Sequence, residues 1–243
     1  MTWHSIEIES QYAGTLGSFQ HERVSRMRSP IPERSPAQWL SLARGLAWFT
    51  IFYNLVEGLV SMGFGMTDDS LALFGFGADS FIEVGSAILV LWRLKTSGCA
   101  ATRLRRERMA TQGIALLLIL LAILTILGAI WRLWKHQHPE TSLPGLIISL
   151  LSLSFMYWLW RSKKQCARAM DSRALVSDAA CSLACMQLSG VLLLGSLAFL
   201  LLPALWWIDS AAALAIAAFI LKEGLGSLRA ARHPDFSGGC GCH

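Results

Sequence analysis

The chain has 243 residues, of which 54% are hydrophobic and only 15% are charged, with a net charge of +5. Soluble domains average about 25% charged residues, so this composition excludes an ordinary cytosolic enzyme, a disordered chain and a disulfide-rich secreted module. The apolar residues also lie in long uncharged blocks. Because about 20 apolar residues cross a hydrocarbon core about 30 Å thick, these blocks predict a multi-pass integral membrane protein.

Six uncharged runs are long enough to predict transmembrane helices. In chain order they cover residues 45–65, 70–92, 109–131, 143–160, 174–203 and 204–221. Pro203 at the last break favours a hairpin between two helices, since proline cannot continue a helical hydrogen-bond ladder. Helices are expected because lipid offers no partner for backbone N–H and C=O groups. The predicted fold is an all-α, six-transmembrane-helix bundle.

The basic residues predict which end of the bundle faces the cytoplasm. All Lys and Arg residues except Arg132 and Lys135 precede the first span, follow the last, or fall in the second and fourth connections. Lys163 is among those assigned to the fourth connection. Since Lys and Arg concentrate in cytoplasmic segments, both termini are predicted to be cytoplasmic, in a plasma or bacterial inner membrane. The same topology explains the positive charge, and no nucleic-acid partner is expected.

Polarity divides the chain into three predicted segments. Residues 1–37 are polar and lack the apolar core of a signal peptide, so we expect a flexible cytoplasmic tail. Residues 38–225 are expected to form the six-helix transmembrane transport domain. Residues 226–243 are expected to form a cytoplasmic tail that ends in Cys-Gly-Cys-His.

Acidic residues inside or at the edges of the predicted spans are the most informative feature of the sequence. They are Glu57, Asp79, Glu83, Asp178 and Asp209. Charge within a bilayer is costly and usually marks an ion or proton path. No Lys, Arg or His lies in the middle of a span to pair with these carboxyl groups, so they are expected to hold either protons or a cation. That choice is the chemistry of a cation transporter.

Asp79 and Glu83 are spaced i, i+4, which places both carboxylates on one helix face about 6 Å apart. Two carboxylates this close repel each other, so at least one is expected to accept a proton that a divalent cation can replace. At about 1.5 Å rise per residue they lie roughly 15–21 Å from Arg93, which is near the middle of the membrane.

Two further helix faces carry polar side chains. They are formed by Asp178, Cys181, Ser182 and Cys185 in the fifth span and by Asn54 and Glu57 in the first. Carboxylates combined with thiolates suit a zinc-class metal better than magnesium or calcium, which prefer oxygen ligands alone. These residues are candidates for additional metal or proton sites.

Each of these acids also has a structural alternative. Asp79 and Glu83 would then only join helices, and Asp178 would be a helix-start residue that extends toward the membrane surface. Glu57 would be protonated and paired with Asn54 or a serine hydroxyl.

Structural alternatives also exist for three other polar residues. Asp209 would be the N-cap of the last helix. Cys181 and Cys185 would be small core residues.

Several motifs in the spans resemble those of the cation diffusion facilitator (cation efflux) family. They are Tyr-Asn-Leu-Val-Glu-Gly at 53–58, Gly-Ala-Asp-Ser-Phe-Ile-Glu-Val at 77–84, Ser-Asp-Ala at 177–179 and Trp-Ile-Asp-Ser at 207–210. The resemblance covers all six spans. It implies exchange of cytosolic Zn²⁺, or of Cd²⁺, Co²⁺, Ni²⁺, Fe²⁺ or Mn²⁺, for protons, with Asp79, Glu83 and Asp178 as metal ligands. No prosthetic group is implied.

Two departures from the family pattern leave parts of the site open. Ala174 stands where many members have His or Asp, so the fourth ligand is Cys181, Ser182, Glu57 or water. The family's usual cytoplasmic metal-binding domain is missing, which resembles the short branch that has the membrane domain only. Whether the chain forms a homodimer is left open.

The last residues form a second candidate metal site. Cys240, Cys242 and His243 offer two thiolates and an imidazole on flexible glycines, which suit a soft metal. The alternative is an incidental tail.

Three classes of function compete at this point. The preferred one is a metal/proton antiporter, and the alternative is a non-transporting membrane metal sensor or interaction partner with the same fold. An enzyme is not expected, because the spans contain no Ser/His/Asp set, phosphate-binding loop or His-rich helix.

Overall fold

The computed structural model describes residues 34–67, 71–95, 99–136, 143–202, 204 and 207–236. The chain divides into two units, residues 1–35 and residues 36–243. Only Arg34 and Ser35 of the first unit are described. The predicted tail site at Cys240, Cys242 and His243 lies outside the described residues, and the three predicted segments stay predictions.

The described part of residues 36–243 contains six α-helices. They are α1 (Pro36–Thr67), α2 (Leu71–Leu94), α3 (Ala100–Trp134), α4 (Leu143–Ala169), α5 (Arg173–Leu201) and α6 (Ile208–Arg232). This confirms the predicted all-α bundle. The predicted break between the last two helices falls between Leu201 and Ile208.

Five of these helices are long and apolar enough to cross a membrane. The qualifying segments are Pro36–Phe64, Gly75–Leu94, Ala100–Trp134, Arg173–Leu201 and Ser210–Arg232. Helix α4 is not among them within the described residues. The protein is therefore an integral, multi-pass membrane protein, whereas the orientation of its termini stays a prediction.

The helices continue beyond the uncharged runs, so many basic residues lie on helical turns. Arg44 lies within α1, and its guanidinium donates to the Leu94 carbonyl oxygen at the end of α2 (3.0 Å). Helix α4 continues to Ala169, which makes the assignment of Lys163 to a connection wrong. A charged residue does not by itself end a helix, because a helix ends only where its backbone hydrogen bonds end.

Helices α1 and α2 cross closely at two glycines. A Cβ atom built on Gly77 would lie 2.9 Å from the Gly58 carbonyl oxygen, and one built on Gly58 would lie 3.1 Å from the Gly77 carbonyl oxygen. Glycine faces permit this approach because no side chain separates the backbones. The crossing brings Glu57 of α1 against Ser80 of α2.

Glu107 of α3 fixes the start of α5, a role that the sequence did not reveal. Its carboxylate pairs with Arg93 of α2 and accepts hydrogen bonds from the Ser172 hydroxyl (2.6 Å) and the Ala174 backbone N–H (2.9 Å). A carboxylate is favoured there because the first N–H groups of a helix have no internal partner. This anchoring sets the depth of Asp178, about one turn further along α5.

Candidate metal-cation site

A buried ion cluster joins α2, α4 and α5. The Lys163 ammonium nitrogen lies 3.2 Å from Glu83 Oε1 and 3.1 Å from Asp178 Oδ2, and it donates to Ser182 Oγ at 2.9 Å. The four residues are at most 2% exposed. Charges this deeply buried persist only when they are paired and hydrogen-bonded, and here each one is.

Lys163 contradicts one expectation from the sequence. No basic residue was expected to pair with the intramembrane carboxylates, yet Lys163 pairs with two of them. A signal for this was present, because Lys163 shares a helix face with Ser152, Met156, Leu159 and Cys166, at spacings of three and four residues. All five residues are buried, whereas Arg161 on the same turn is exposed.

Asp178 faces the interior of the bundle. It is 1% exposed, and its Oδ1 accepts a hydrogen bond from Ser86 Oγ at 2.6 Å. The Asp178 side chain therefore does not extend toward the membrane surface, as the structural alternative would require. Asp178 and Glu83, from different helices, share one counter-ion.

Glu83 retains unused acceptor capacity. Its Oε1 accepts from the Ser182 hydroxyl and from Lys163, while its Oε2 is buried and has no hydrogen-bond partner among the described residues. A carboxylate oxygen that is fully removed from water and left unpaired is costly. This oxygen is therefore available to a further cation or proton.

Asp79 lies one turn before Glu83 and borders a cavity. It is 5% exposed, the Cys185 thiol lies against it, and its Oδ1 has no partner in the described part of the chain. The cavity measures about 300 Å³, lies among α2, α3, α5 and α6, and extends to Arg132 in the last turn of α3. Asp79 supplies a carboxylate to its otherwise mostly apolar wall.

Glu57 forms a separate hydrogen-bonded group. It accepts from the Tyr53 hydroxyl and the Ser80 hydroxyl, both at 3.0 Å, and Ser152 of α4 also bonds to it. These contacts match the structural alternative in which Glu57 pairs with a serine hydroxyl. Asn54 instead donates to its own helix, at the Thr50 carbonyl oxygen.

The cysteines of α5 are buried, and each belongs to a cluster of apolar side chains. Cys181 packs with Leu118 and Ile220, and Cys185 packs with Met156. Among the described residues no three His, Cys, Asp or Glu side chains form a ready metal-binding group. The side chain of Asp209 lies outside the described part.

The candidate residues are therefore brought together in part. Glu83, Asp178 and Ser182 surround Lys163, Asp79 lies one turn away, and Glu57 contacts Ser80, three residues before Glu83 on α2. This arrangement defines a class of protein: a multi-pass helical membrane protein with ionisable groups held inside its bundle, which is where transport sites are found.

Comparison with known proteins identifies the family. Residues 47–233 match the family described as the cation efflux transmembrane domain, and the chain belongs to the cation efflux family. This confirms the resemblance found in the motifs of spans one, two and five. The chain is also similar to transmembrane protein 163 of Xenopus laevis, with 26% identity over 192 residues, which cover 79% of this chain and 66% of that protein. The chain thus spans slightly less than two thirds of the length of that relative.

Proposed function

We propose that this protein moves a divalent metal cation across the membrane and that Asp79, Glu83 and Asp178 bind it. The observation that supports this best is the meeting of Glu83 from α2 and Asp178 from α5 around one cationic group. A position that already attracts an ammonium group between two carboxylates offers the charge and oxygen ligands a metal needs. The family membership points to the same class of cargo.

The proposed cargo is Zn²⁺ or a similar metal. Asp79 lies against the Cys185 thiol, so a metal bound there would meet sulfur as well as carboxylate oxygen. Mixed sulfur and oxygen ligands favour zinc-class metals over Mg²⁺ and Ca²⁺. Ser182 is a further candidate ligand, because its hydroxyl already contacts Glu83.

The proposed mechanism is exchange of metal for protons. Carboxylates that lose a divalent ion inside a membrane would be left unneutralised, and protons are the smallest replacement. The cavity that borders Asp79 offers a route between this carboxylate and the end of α3. Whether the protein forms a homodimer stays open.

The test is metal flux into proteoliposomes over a panel of divalent cations. We expect Asp178→Asn and Glu83→Gln each to remove flux, because each deletes a ligand charge at nearly constant shape. Asp171→Asn is the matched control, since Asp171 is exposed before α5 and has a φ of 45°, which asparagine also adopts. Full flux in both site variants would contradict the proposed function.

A membrane metal sensor with the same fold is the second candidate. What favours it is the sequence of the tail, in which Cys240, Cys242 and His243 offer two thiolates and an imidazole to a soft metal. Equilibrium metal binding without any flux in wild-type proteoliposomes would select the sensor.

A further inference from the structure

We propose that the Lys163 ammonium group is a built-in competitor of the cargo, which the metal must displace from Glu83 and Asp178. This inference rests on the proposed function, because it assigns a role within the same site. It makes Lys163 a residue that sets metal affinity, although it does not bind the metal.

The geometry places the ammonium group where a metal would lie. Lys163 Nζ is 3.2 Å from Glu83 Oε1 and 3.1 Å from Asp178 Oδ2, so it occupies the space between the two carboxylates. A metal bound by the same pair would share this space. Two cations only a few ångströms apart repel strongly where water is excluded, so the ammonium group and the metal exclude each other.

The carboxylates also have capacity that the lysine leaves unused. Glu83 Oε2 and Asp79 Oδ1 are both buried, and neither has a hydrogen-bond partner in the described ranges. One helical turn separates the two residues. A divalent cation would satisfy these oxygens and balance two negative charges, whereas one ammonium group balances only one.

The lysine lies near the end of α4. Helix α4 ends six residues after Lys163, roughly 9 Å along the axis, and the side chain has four flexible carbons. Its neighbour Lys164 is half-buried and lies over the Trp160 ring, 4.7 Å from the centroid. A displaced Lys163 would extend toward this end of α4.

The competition explains how the empty site remains paired. Without cargo, a vacated carboxylate pair would stand in a low-dielectric interior with no counter-ion. The lysine neutralises part of that charge and returns when the metal leaves. It therefore lowers metal affinity, and it promotes release.

The first experiment measures Zn²⁺ binding to the detergent-solubilised full chain. Lys163→Met is compared with Lys164→Met, in a background of Cys240→Ser, Cys242→Ser and His243→Ala that removes the candidate tail site. We expect Lys163→Met to bind at least ten-fold more tightly and Lys164→Met to bind as the background does. Unchanged or weaker binding in folded Lys163→Met overturns the inference.

A second measurement uses the native lysine and therefore does not depend on the variant folding. Acetic anhydride labels amines, and mass spectrometry reports the extent at Lys163 and Lys164 separately. Saturating Zn²⁺ should raise labelling of Lys163 several-fold and leave Lys164 unchanged. Labelling of Lys163 that is indifferent to Zn²⁺ overturns the displacement.

Failure of the proposed function and failure of the Lys163 competition give different results. Loss of the proposed function appears as absence of flux for every metal in wild-type proteoliposomes. If the wild type transports metal while Lys163→Met has wild-type affinity, only the role of Lys163 is overturned.

Discussion

Glu83, Asp178 and Lys163 carry a net charge of −1 when all three are ionised, so substitutions at the three positions are not equivalent. Glu83→Gln or Asp178→Asn leaves one carboxylate for one ammonium group, which is a balanced pair. Lys163→Met leaves two carboxylates without a counter-ion. Removing one partner of a buried ion pair costs about 3–5 kcal/mol, mostly because the remaining charge stays buried.

We therefore predict an order of stability in metal-free detergent solution. Lys163→Met should lower the unfolding temperature more than Glu83→Gln, and added Zn²⁺ should restore much of the loss in Lys163→Met. Thermal unfolding followed by intrinsic tryptophan fluorescence measures both effects. Lys164→Met serves as the control. A larger loss in Glu83→Gln than in Lys163→Met would show that charge balance does not govern this cluster.

Asp79 supports a prediction that separates its role from that of Glu83. It borders the cavity and lacks a contact with Lys163, so Asp79→Asn should leave the ion cluster and the fold intact. Metal flux should nevertheless fall to background, because a ligand charge is lost. Flux assays paired with thermal unfolding test this, and a destabilised Asp79→Asn protein would argue for a structural role.

The sequence predicted which helices are present, and their order, better than it predicted the residues at which each helix begins and ends. Uncharged runs located the six helices of the described residues, because lipid forces apolar side chains and internal hydrogen bonds onto every span. The ends were misplaced where Arg44 was assigned to the segment before the first span and Lys163 to the fourth connection. Charge marks distance from the membrane centre, whereas a helix ends only where its backbone hydrogen bonds end.

The parts of the site that depend on local spacing could also be predicted from the sequence. The i, i+4 spacing of Asp79 and Glu83 is a local property, so the sequence alone places both on one helix face. The contacts of Glu83 with Ser182 and Lys163 join residues 99 and 80 positions apart. No local pattern encodes such a contact. The helical spacing of Lys163 with Leu159 indicates only that Lys163 lies on an inward face of α4.

The crossing of α1 and α2 yields a prediction at the level of helix packing. Gly77→Ala should destabilise the protein by about 1–3 kcal/mol, because its Cβ would meet the Gly58 carbonyl oxygen at 2.9 Å and the Met62 backbone nitrogen at 3.0 Å. Flux should fall as well, since Asp79 follows two residues later. Thermal unfolding and flux measure the two effects.

The control for that variant lies on the same helix. A Cβ on Gly75 would meet nothing within 4 Å, so Gly75→Ala should leave the unfolding temperature unchanged or raise it slightly. Equal effects of the two substitutions would show that close approach at Gly77 is not required.

For the molecule as a whole, exchange of metal for protons predicts a dependence on the pH gradient. Metal export into a compartment should rise as that compartment is acidified, because protons there replace the released metal on the carboxylates. Proteoliposomes with an imposed pH gradient and a clamped membrane potential provide the measurement. Flux that follows only the metal gradient would instead indicate a uniporter or channel.

The orientation of the bundle is tested by a native thiol. Cys99 is exposed in the connection between α2 and α3, and Cys166, Cys181 and Cys185 are buried. The Thr102 side chain, with its hydroxyl oxygen 3.2 Å from Cys99 Sγ, lowers the pKa of the Cys99 thiol. Because the thiolate is the reactive form, maleimide labelling should rise with pH and level off at a lower pH than for an ordinary cysteine.

The predicted cytoplasmic termini place Cys99 on the cytoplasmic side. In a Cys240→Ser/Cys242→Ser background, a membrane-impermeant maleimide should therefore label Cys99 in inverted vesicles and leave it unlabelled in right-side-out vesicles. Lys135→Cys, at the exposed far end of α3, should show the opposite pattern, since the 35 residues of α3 cover about 52 Å and exceed the bilayer core. Labelling of Cys99 in sealed right-side-out vesicles would reverse the orientation, and with it the side from which the Asp79 cavity opens.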